Sequence, residues 1–589
     1  MRRWSRWAGV ALVAAGISLV YLPVGDFELF LVAKAATWLL AMVGLNLSLG
    51  FTGLFSFAHI ALYALGAYAT ALAVTDAGLP VWAGFLLAAA IGAIGGAVLS
   101  LASFRAKATH FAVVSLVLVF AVSELLAGWT SVTHGEIGVA VRRPELGGEP
   151  FGARYYWLLT LGVTVVCVVL VRNLVRSPLG RGLVSLRESE DAAAAAGVSP
   201  YRYRLLALAV GGAVTAIGGA LFAHLDGYVS PELAGFGPAT LLVASLLVGG
   251  VGSAWGPVLG AGYFVVIDRG LSFLQRELPG VDIQQLVSGV VLFLVVVFLP
   301  RGLAGLGRRA RGAGLREEER EAAAVIPAPR HPSSTELALE VQGLTRSFGG
   351  VAALRDLDLS VERGTIHGLI GPNGSGKTTT VNLITGVLRA DRGMVSLLGR
   401  RIEHPRPHRM AELGLSRVFQ RAEVFAGMPT IENVVAGFHL VADRRLWANA
   451  LRVPALRRRE NELLGQTRTL LDALGLEDVA DVPASALSFG DRRLLEVARA
   501  LAARPSVLIL DEPATGLTGV ELARMAVVLR RLRDAGVAVL LIEHNMEFLM
   551  ELCDRVTVLD FGLKVAEGTP AEARQDPRVI EAYLGVGPA

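Results

Sequence analysis

The stretch LIGPNGSGKTTT, Leu369 to Thr380, decides how this chain is read. An apolar run ends at Ile370, Gly371 follows, and Gly376-Lys377-Thr378 completes a phosphate-binding pattern of strand, glycine-rich turn and helix start. The spacing has a physical basis. Glycines let consecutive backbone N–H groups turn toward one anion, Lys377 adds a point charge at the β- and γ-phosphates, and the Thr378 hydroxyl can ligate Mg²⁺. The helix that follows directs its positive end at the same phosphates. Gly371, Pro372, Asn373, Gly374, Ser375, Gly376, Lys377, Thr378 and Thr379 are therefore the expected nucleotide-binding residues.

Downstream segments supply the rest of a nucleotide hydrolase. Gln420 lies in SRVFQ, LSFGDRRLLEVARAL runs from Leu487 to Leu501, VLILDEP from Val507 to Pro513, and His544 sits in LLIEHN. Asp511, at the end of an apolar run, is expected to hold Mg²⁺ with Thr378 and Gln420. Glu512 can polarise the attacking water, and His544 can reach the γ-phosphate. A carboxylate pair beside an apolar strand is costly without a cation, which favours the functional reading of Asp511 and Glu512. The expected catalytic residues are Glu512, His544 and Gln420.

Outward from this centre the composition splits. The chain has 589 residues, too many for one ordinary domain. From Trp7 to Leu299 it is dominated by Ala, Val, Leu and Gly, whereas charged residues recur every few positions from Leu315 onward. The first half reads as membrane-embedded and the second as cytosolic. The formal charge of +4 is modest, and basic residues cluster at the ends of apolar runs, which speaks for membrane topology and against nucleic-acid binding. Two cysteines, Cys167 and Cys553, are too few and too far apart for a disulfide framework or a metal site.

Apolar segments of spanning length, about 20 residues, run near Ala8–Val24, Leu29–Leu49, Gly53–Val74, Val81–Ser103, Phe111–Trp129, Tyr155–Val171, Leu205–Ala223 and Ile283–Leu299. The first is read as a span and not as a cleaved signal, because no small-residue cleavage site precedes Pro23. Arg2, Arg3 and Arg6, then Arg105 and Lys107, then Arg172, Arg176, Arg181 and Arg187 fall on one side if spans alternate, and the positive-inside rule makes that side the cytoplasm. Arg301, Arg308, Arg309 and Arg311 place the end of this half on the same side, so the number of crossings is even. A hairpin broken at Gly249–Pro257 is expected between Ala239 and Asp268, giving about ten crossings, or eight plus a re-entrant hairpin. Two glycine-broken stretches, Leu47–Tyr68 and Leu246–Tyr263, resemble each other, and suggest either an internal repeat lining a pathway or close packing through small residues. Glu124 and His224 read as interfacial or snorkelling side chains, whereas His59 reads as a costly ionisable group inside a span.

Between the sixth and seventh segments, SPLGRGLVSLRESEDAAAAAGVSP (Ser177–Pro200) places Leu179, Leu183 and Leu186 on one helical face. It reads as a short cytoplasmic helix with an apolar stripe that docks on another protein. Residues 302–335 mix arginines, glutamates and prolines and read as a connector. The expected domains are thus residues 1–301 in the membrane, a linker over 302–335, and 336–589 as a nucleotide-binding domain.

The order of motifs resembles the ATP-binding-cassette family over essentially all of Glu336–Ala589. In that family two cassettes sandwich two ATP molecules, so the resemblance implies that Ser488 and Gly490, within its signature sequence, act in trans on a partner's nucleotide. It also assigns Phe348 to adenine stacking, with core packing as the alternative. Two positions depart from the pattern: Asp491 replaces the commoner glutamine, and Thr518 stands where Asp or Asn is usual. RVFQRAEVFAGMPTIENVVAG and the insertion after it look like the ATPase subunit of bacterial branched-chain amino-acid importers. GLNLSLGFTGLFSFAHIALYALGAY, the Ser177–Pro200 loop and PRGLAGL look like a permease subunit of the same system.

The resemblance implies a fused permease and ATPase: a polytopic all-α membrane domain of about 8–10 spans followed by an α/β P-loop domain with an α-helical subdomain. The expected function is ATP-driven import of branched-chain amino acids, or related amino acids, amides or urea, across the bacterial inner membrane. The expected cofactors are ATP and Mg²⁺. A second permease and a second ATPase, or a second copy of this chain, a periplasmic substrate-binding protein and membrane lipid are the expected partners. An exporter, expected to show six long helices, and an ATP-dependent membrane regulator that transports nothing are the rival readings.

Overall fold

The structure, a computed structural model, describes residues 25–104, 108–146, 149–270, 283–299, 302–305, 328–331 and 335–584. The expected first span, most of the linker, and Arg2, Arg3, Arg6, Arg105, Lys107, Arg301, Arg308, Arg309 and Arg311 lie outside these residues. The chain forms two compact units: Met1–Leu183 with Tyr201–Ala310, and Val184–Pro200 with Arg311–Ala589.

In the first unit, five helices among the described residues are long and apolar enough to cross a membrane. Four shorter apolar helices accompany them, making nine apolar helices among the described residues, more than the six long helices of the exporter reading. Asp26–Leu45 runs into a π-helical turn, Asn46–Phe51, and the next helix starts only at His59, because Gly53 (φ 74°) turns the chain out of the helix. The expected hairpin is present as Phe236–Gly249 and Gly256–Gly270, broken at Gly250 and Gly252. At 14 and 15 residues these helices are about 21 and 22 Å long, short of a hydrocarbon core of about 30 Å.

The two glycine-broken stretches adjoin each other. The Asn46 side-chain amide donates to Ser253 O (3.0 Å), and its carbonyl accepts from Gly252 N (2.8 Å). Small-residue packing holds the surrounding helices: a Cβ on Gly44 would stand 2.3 Å from Gly211 O, and one on Gly96 would stand 2.0 Å from Leu208 O. His59 is fully enclosed between Ser48 and Ser56. His224 is also fully enclosed, bonded to Thr70 (3.2 Å) and to Arg142 O (2.8 Å), which corrects its reading as an interfacial side chain. Glu124 is exposed.

The second unit is built on two sheets. Strands β1 (Leu337–Phe348), β2 (Val351–Glu362), β4 (Arg392–Leu397) and β5 (Arg400–Ile402) form an antiparallel sheet in the order β2-β1-β4-β5. Strands β3 (Ile366–Ile370), β6 (Leu415–Val418), β7 (Val507–Asp511), β8 (Ala538–Ile542), β9 (Arg555–Asp560) and β10 (Leu563–Gly568) form the other, in the order β6-β7-β8-β3-β9-β10. All neighbours in the second sheet are parallel except β9 and β10. The central strands β7 and β8 are near-continuous apolar runs because both faces are covered: Leu508 and Leu510 join one core cluster, Val507 and Ile509 the other.

Val184–Pro200 clusters with this second unit, whereas the sequence expectation counted it with the membrane domain. Its helix breaks at Ser189, giving Pro178–Glu188 and Glu190–Ala195, because the Ser189 hydroxyl caps the second helix by accepting from Ala192 N (3.1 Å). Ser189 also donates to Glu423, and Gly427 N donates to Glu188 (3.0 Å). Ala192, Ala193 and Val198 are buried. The surface on which this segment packs therefore belongs to its own chain.

Candidate functional site

The adjacent strands β7, β8 and β3 end side by side, and their carboxyl ends carry Glu512, His544 and the glycine-rich loop. A cleft of about 200 Å³ opens there, lined by Asn373 through Thr379, Gln420, Glu512, His544 and Ala353. Gln420 arrives from the end of β6, which pairs with β7. Glycine is required at the first loop position: at Gly371 (φ 149°) a Cβ would stand 2.0 Å from Leu559 O. Gly376 (φ 103°) starts the helix Lys377–Thr385, whose first turn faces the cleft. Lys377 Nζ donates to Gly371 O (2.7 Å) and Pro372 O (2.8 Å), which folds the loop around its ammonium. Burial lowers the Lys377 pKa, and the nearby carboxylates of Glu512 and Asp511 offset the effect.

Glu512 occupies the left-handed region (φ 51°), an expensive conformation for a non-glycine residue. Its N–H is tied to Ile542 O (2.8 Å), and its Oε1 lies 2.7 Å from His544 Nε2. Glu543, fully enclosed and pushed above the usual carboxylate range by burial, accepts from the backbone N–H of Ala514, His544 (3.1 Å) and Asn545 (3.4 Å). These bonds fix the backbone that carries the imidazole.

Asp511 is fully buried and is not among the residues lining the cleft. Its Oδ2 accepts from Arg417 Nη2 (3.0 Å), while its Oδ1 is buried without a hydrogen-bond partner. Burial raises its pKa, and Arg417 opposes the shift. An unpartnered buried carboxylate oxygen suits a divalent cation, and the Thr378 and Gln420 side chains beside the cleft suit the remaining oxygen positions. The donor set therefore fits Mg²⁺, which Asp511, Thr378 and Gln420 would hold.

Ser488 and Gly490 are not among the residues that line this cleft. Ser488 caps the helix Phe489–Ala502 by accepting from Asp491 N (3.0 Å). Thr518 forms a reciprocal cap with Glu521, so the departure at this position keeps the helix start intact. Phe348 is exposed, with the Arg346 guanidinium 4.8 Å from its ring centroid, which removes the core-packing alternative. It does not line the cleft either.

Sequence reasoning missed Arg493. Fully enclosed, it donates to Gln420 O (3.0 Å), Asp511 O (3.0 Å), Glu512 O (2.6 Å) and Phe419 O, and pairs with Glu496 (3.1 Å). One guanidinium thus ties the signature helix to the segments carrying Gln420 and Glu512. The available signal was an arginine facing the apolar side of its helix, two residues beyond Asp491.

Comparison with known proteins follows the same division. Residues 28–296 match the family described as branched-chain amino acid transport system permease component. Residues 354–515 match the ABC transporter family, and residues 564–589 the branched-chain amino acid ATP-binding cassette transporter family. The high-affinity branched-chain amino acid transport ATP-binding protein BraF of Pseudomonas aeruginosa is 38% identical over 248 residues, 42% of this chain and 97% of that protein. LivG of Salmonella typhimurium, with the same description, is 39% identical over the same shares. Among solved structures, an ATP-binding cassette of an ABC transporter in its ADP conformation is 29% identical over 43% of this chain and 100% of that one, with a TM-score of 0.37.

Proposed function

Because the chain belongs to the branched-chain amino acid family of ABC transporters, with permease and ATP-binding components on one polypeptide, we propose that it couples ATP hydrolysis to import of branched-chain amino acids. The observation that carries this reading is the packing of Val184–Pro200, which joins two apolar helices, against the unit that holds the nucleotide cleft. Motion at the cleft has a direct mechanical route to membrane helices through that segment.

In this reading Lys377 and the loop amides hold the phosphates. Glu512 orients and deprotonates the attacking water, and His544, bonded to Glu512, steadies the γ-phosphate. Asp511, Thr378 and Gln420 would hold Mg²⁺, which when bound would neutralise phosphate charge. Phe348 stacks on the adenine. Ser488 and Gly490 act on the nucleotide of a second cassette, provided by another copy or by a separate subunit. A second permease and a substrate-binding protein outside the membrane complete the transporter, which resides in the bacterial inner membrane with its cassette in the cytoplasm.

The test is uptake of labelled leucine, isoleucine and valine by cells lacking this chain, complemented with wild type or Glu512→Gln, with amides and urea as competitors. Wild type restores uptake. Glu512→Gln binds ATP but loses hydrolysis by at least about 10²-fold. Uptake restored equally by both proteins refutes the ATP-driven reading.

A further inference from the structure

The insertion after the Gln420 segment carries a short helix, Leu446–Leu451, whose orientation is fixed from inside. Ala448 and Asn449 point into the protein, and the Asn449 amide donates to Asp443 O (3.1 Å) and Arg445 O (2.8 Å). That anchoring turns Trp447 and Leu451, one helical turn apart, outward, where they are 57% and 64% exposed. A tryptophan and a leucine displayed together on a soluble surface form an exposed apolar pair.

Charge surrounds the patch. From Asp443 to Glu462 there are six arginines against three acidic residues. Two of those acids are already engaged, Asp443 by Arg445 (2.5 Å) and Glu462 by Arg459 (3.0 Å). Arg445 also lies over the Trp447 ring, 5.4 Å from its centroid. Arg444, Arg457 and Arg458 are exposed within seven residues of the helix. Tryptophan and leucine on one side with arginines around them is the composition that seeks a membrane interface.

The chain tethers this helix, within a bounded length, to an apolar helix of spanning length. The Leu440 side chain fills the place a Cβ on Gly197 would take, at 2.5 Å, and Gly197 stands three residues before the apolar helix Pro200–Asp226 begins. Three residues reach at most about 10 Å, and the six from Leu440 to Leu446 at most about 22 Å. We propose that Trp447 and Leu451, flanked by Arg444, Arg457 and Arg458, rest on the anionic headgroups of the bilayer that the chain spans. The proposal needs only a membrane-embedded chain and stands apart from the transport reading.

The test places a spin label at Leu451→Cys of the full chain in lipid nanodiscs, with the unsubstituted chain, whose Cys167 and Cys553 are buried, as the labelling control. Discs of phosphatidylcholine alone are compared with discs holding about one third phosphatidylglycerol. Oxygen accessibility exceeding that of a water-soluble nickel chelate in the anionic discs is the expected result. The ratio falls about fivefold or more in neutral discs and in Arg444→Gln/Arg457→Gln/Arg458→Gln, whose ATP binding stays unchanged. Should that variant not fold, raising the salt tenfold on the Leu451→Cys background tests the same attraction. A label facing water in both disc types overturns the proposal. So does a label shielded from both reagents regardless of lipid charge, which would make a protein the occupant.

Discussion

Replacing Arg493 with methionine keeps the aliphatic volume and removes the guanidinium. The loss is large because Arg493 and Glu496 are each 1% exposed, so the carboxylate is left without its nearer cation and the carbonyls of Gln420, Asp511 and Glu512 lose a donor. Breaking a buried pair from one side costs about 3–5 kcal/mol. At about 1.4 kcal/mol per tenfold, hydrogen-exchange protection of the β7 amides falls about 10²- to 10⁴-fold. The cost depends on pH with a definite sign. Burial already raises the Glu496 pKa, while Arg499 and Arg493 pull it back. An acid whose folded pKa is raised contributes stability that is lost as pH climbs from its unfolded value through its folded one. Without Arg493 the folded value climbs further, so the variant loses more stability than wild type as pH rises above the usual carboxylate range. Arg493→Met/Glu496→Gln recovers part of the loss, since the buried charge then left with Arg499 alone is removed. Protection in the single variant within tenfold of wild type, or no recovery in the double variant, refutes this account.

Two other outcomes follow from the cleft. His544→Ala lowers ATP hydrolysis by about 10²- to 10³-fold with nucleotide affinity within threefold of wild type, read by steady-state hydrolysis beside equilibrium ATP binding; a parallel loss of affinity would make His544 a binding residue instead. Because burial raises the Asp511 pKa and Mg²⁺ needs the ionised carboxylate, the half-saturating Mg²⁺ for nucleotide binding rises as pH is lowered toward the usual carboxylate range, and Asp511→Asn flattens that dependence. The same slope in Asp511→Asn as in wild type would exclude Asp511 as the titrating ligand.

The cleft was legible because its chemistry is written in short contiguous runs. LIGPNGSGKTTT, LILDEP and LIEHN each couple an apolar strand to the residues at its carboxyl end, so reading the strand locates the side chain. Arg493 was not legible, since its carbonyl partners lie between 18 and 74 residues away and depend on the strand order β6-β7-β8. The same holds for Asn46, whose bonds to Gly252 and Ser253 span more than 200 residues. His224 was misjudged because its position near a helix end does not reveal Thr70 and Arg142 O, which enclose it. The Ser189 break carried a local signal, a serine before two acidic residues, that the alanine run after it masked.

The contact of Glu188 and Ser189 with Gly427 and Glu423 has a consequence for assembly. Groups joined on one polypeptide meet at an effective concentration of about 1 mM. A contact with a dissociation constant of about 0.1 mM would then be formed roughly nine-tenths of the time, whereas separate subunits at about 1 µM would form it about 1% of the time. Covalent fusion thus relieves this surface of the need for tight affinity. It can be small, polar and quick to rearrange, and the stoichiometry of permease to cassette is set at synthesis.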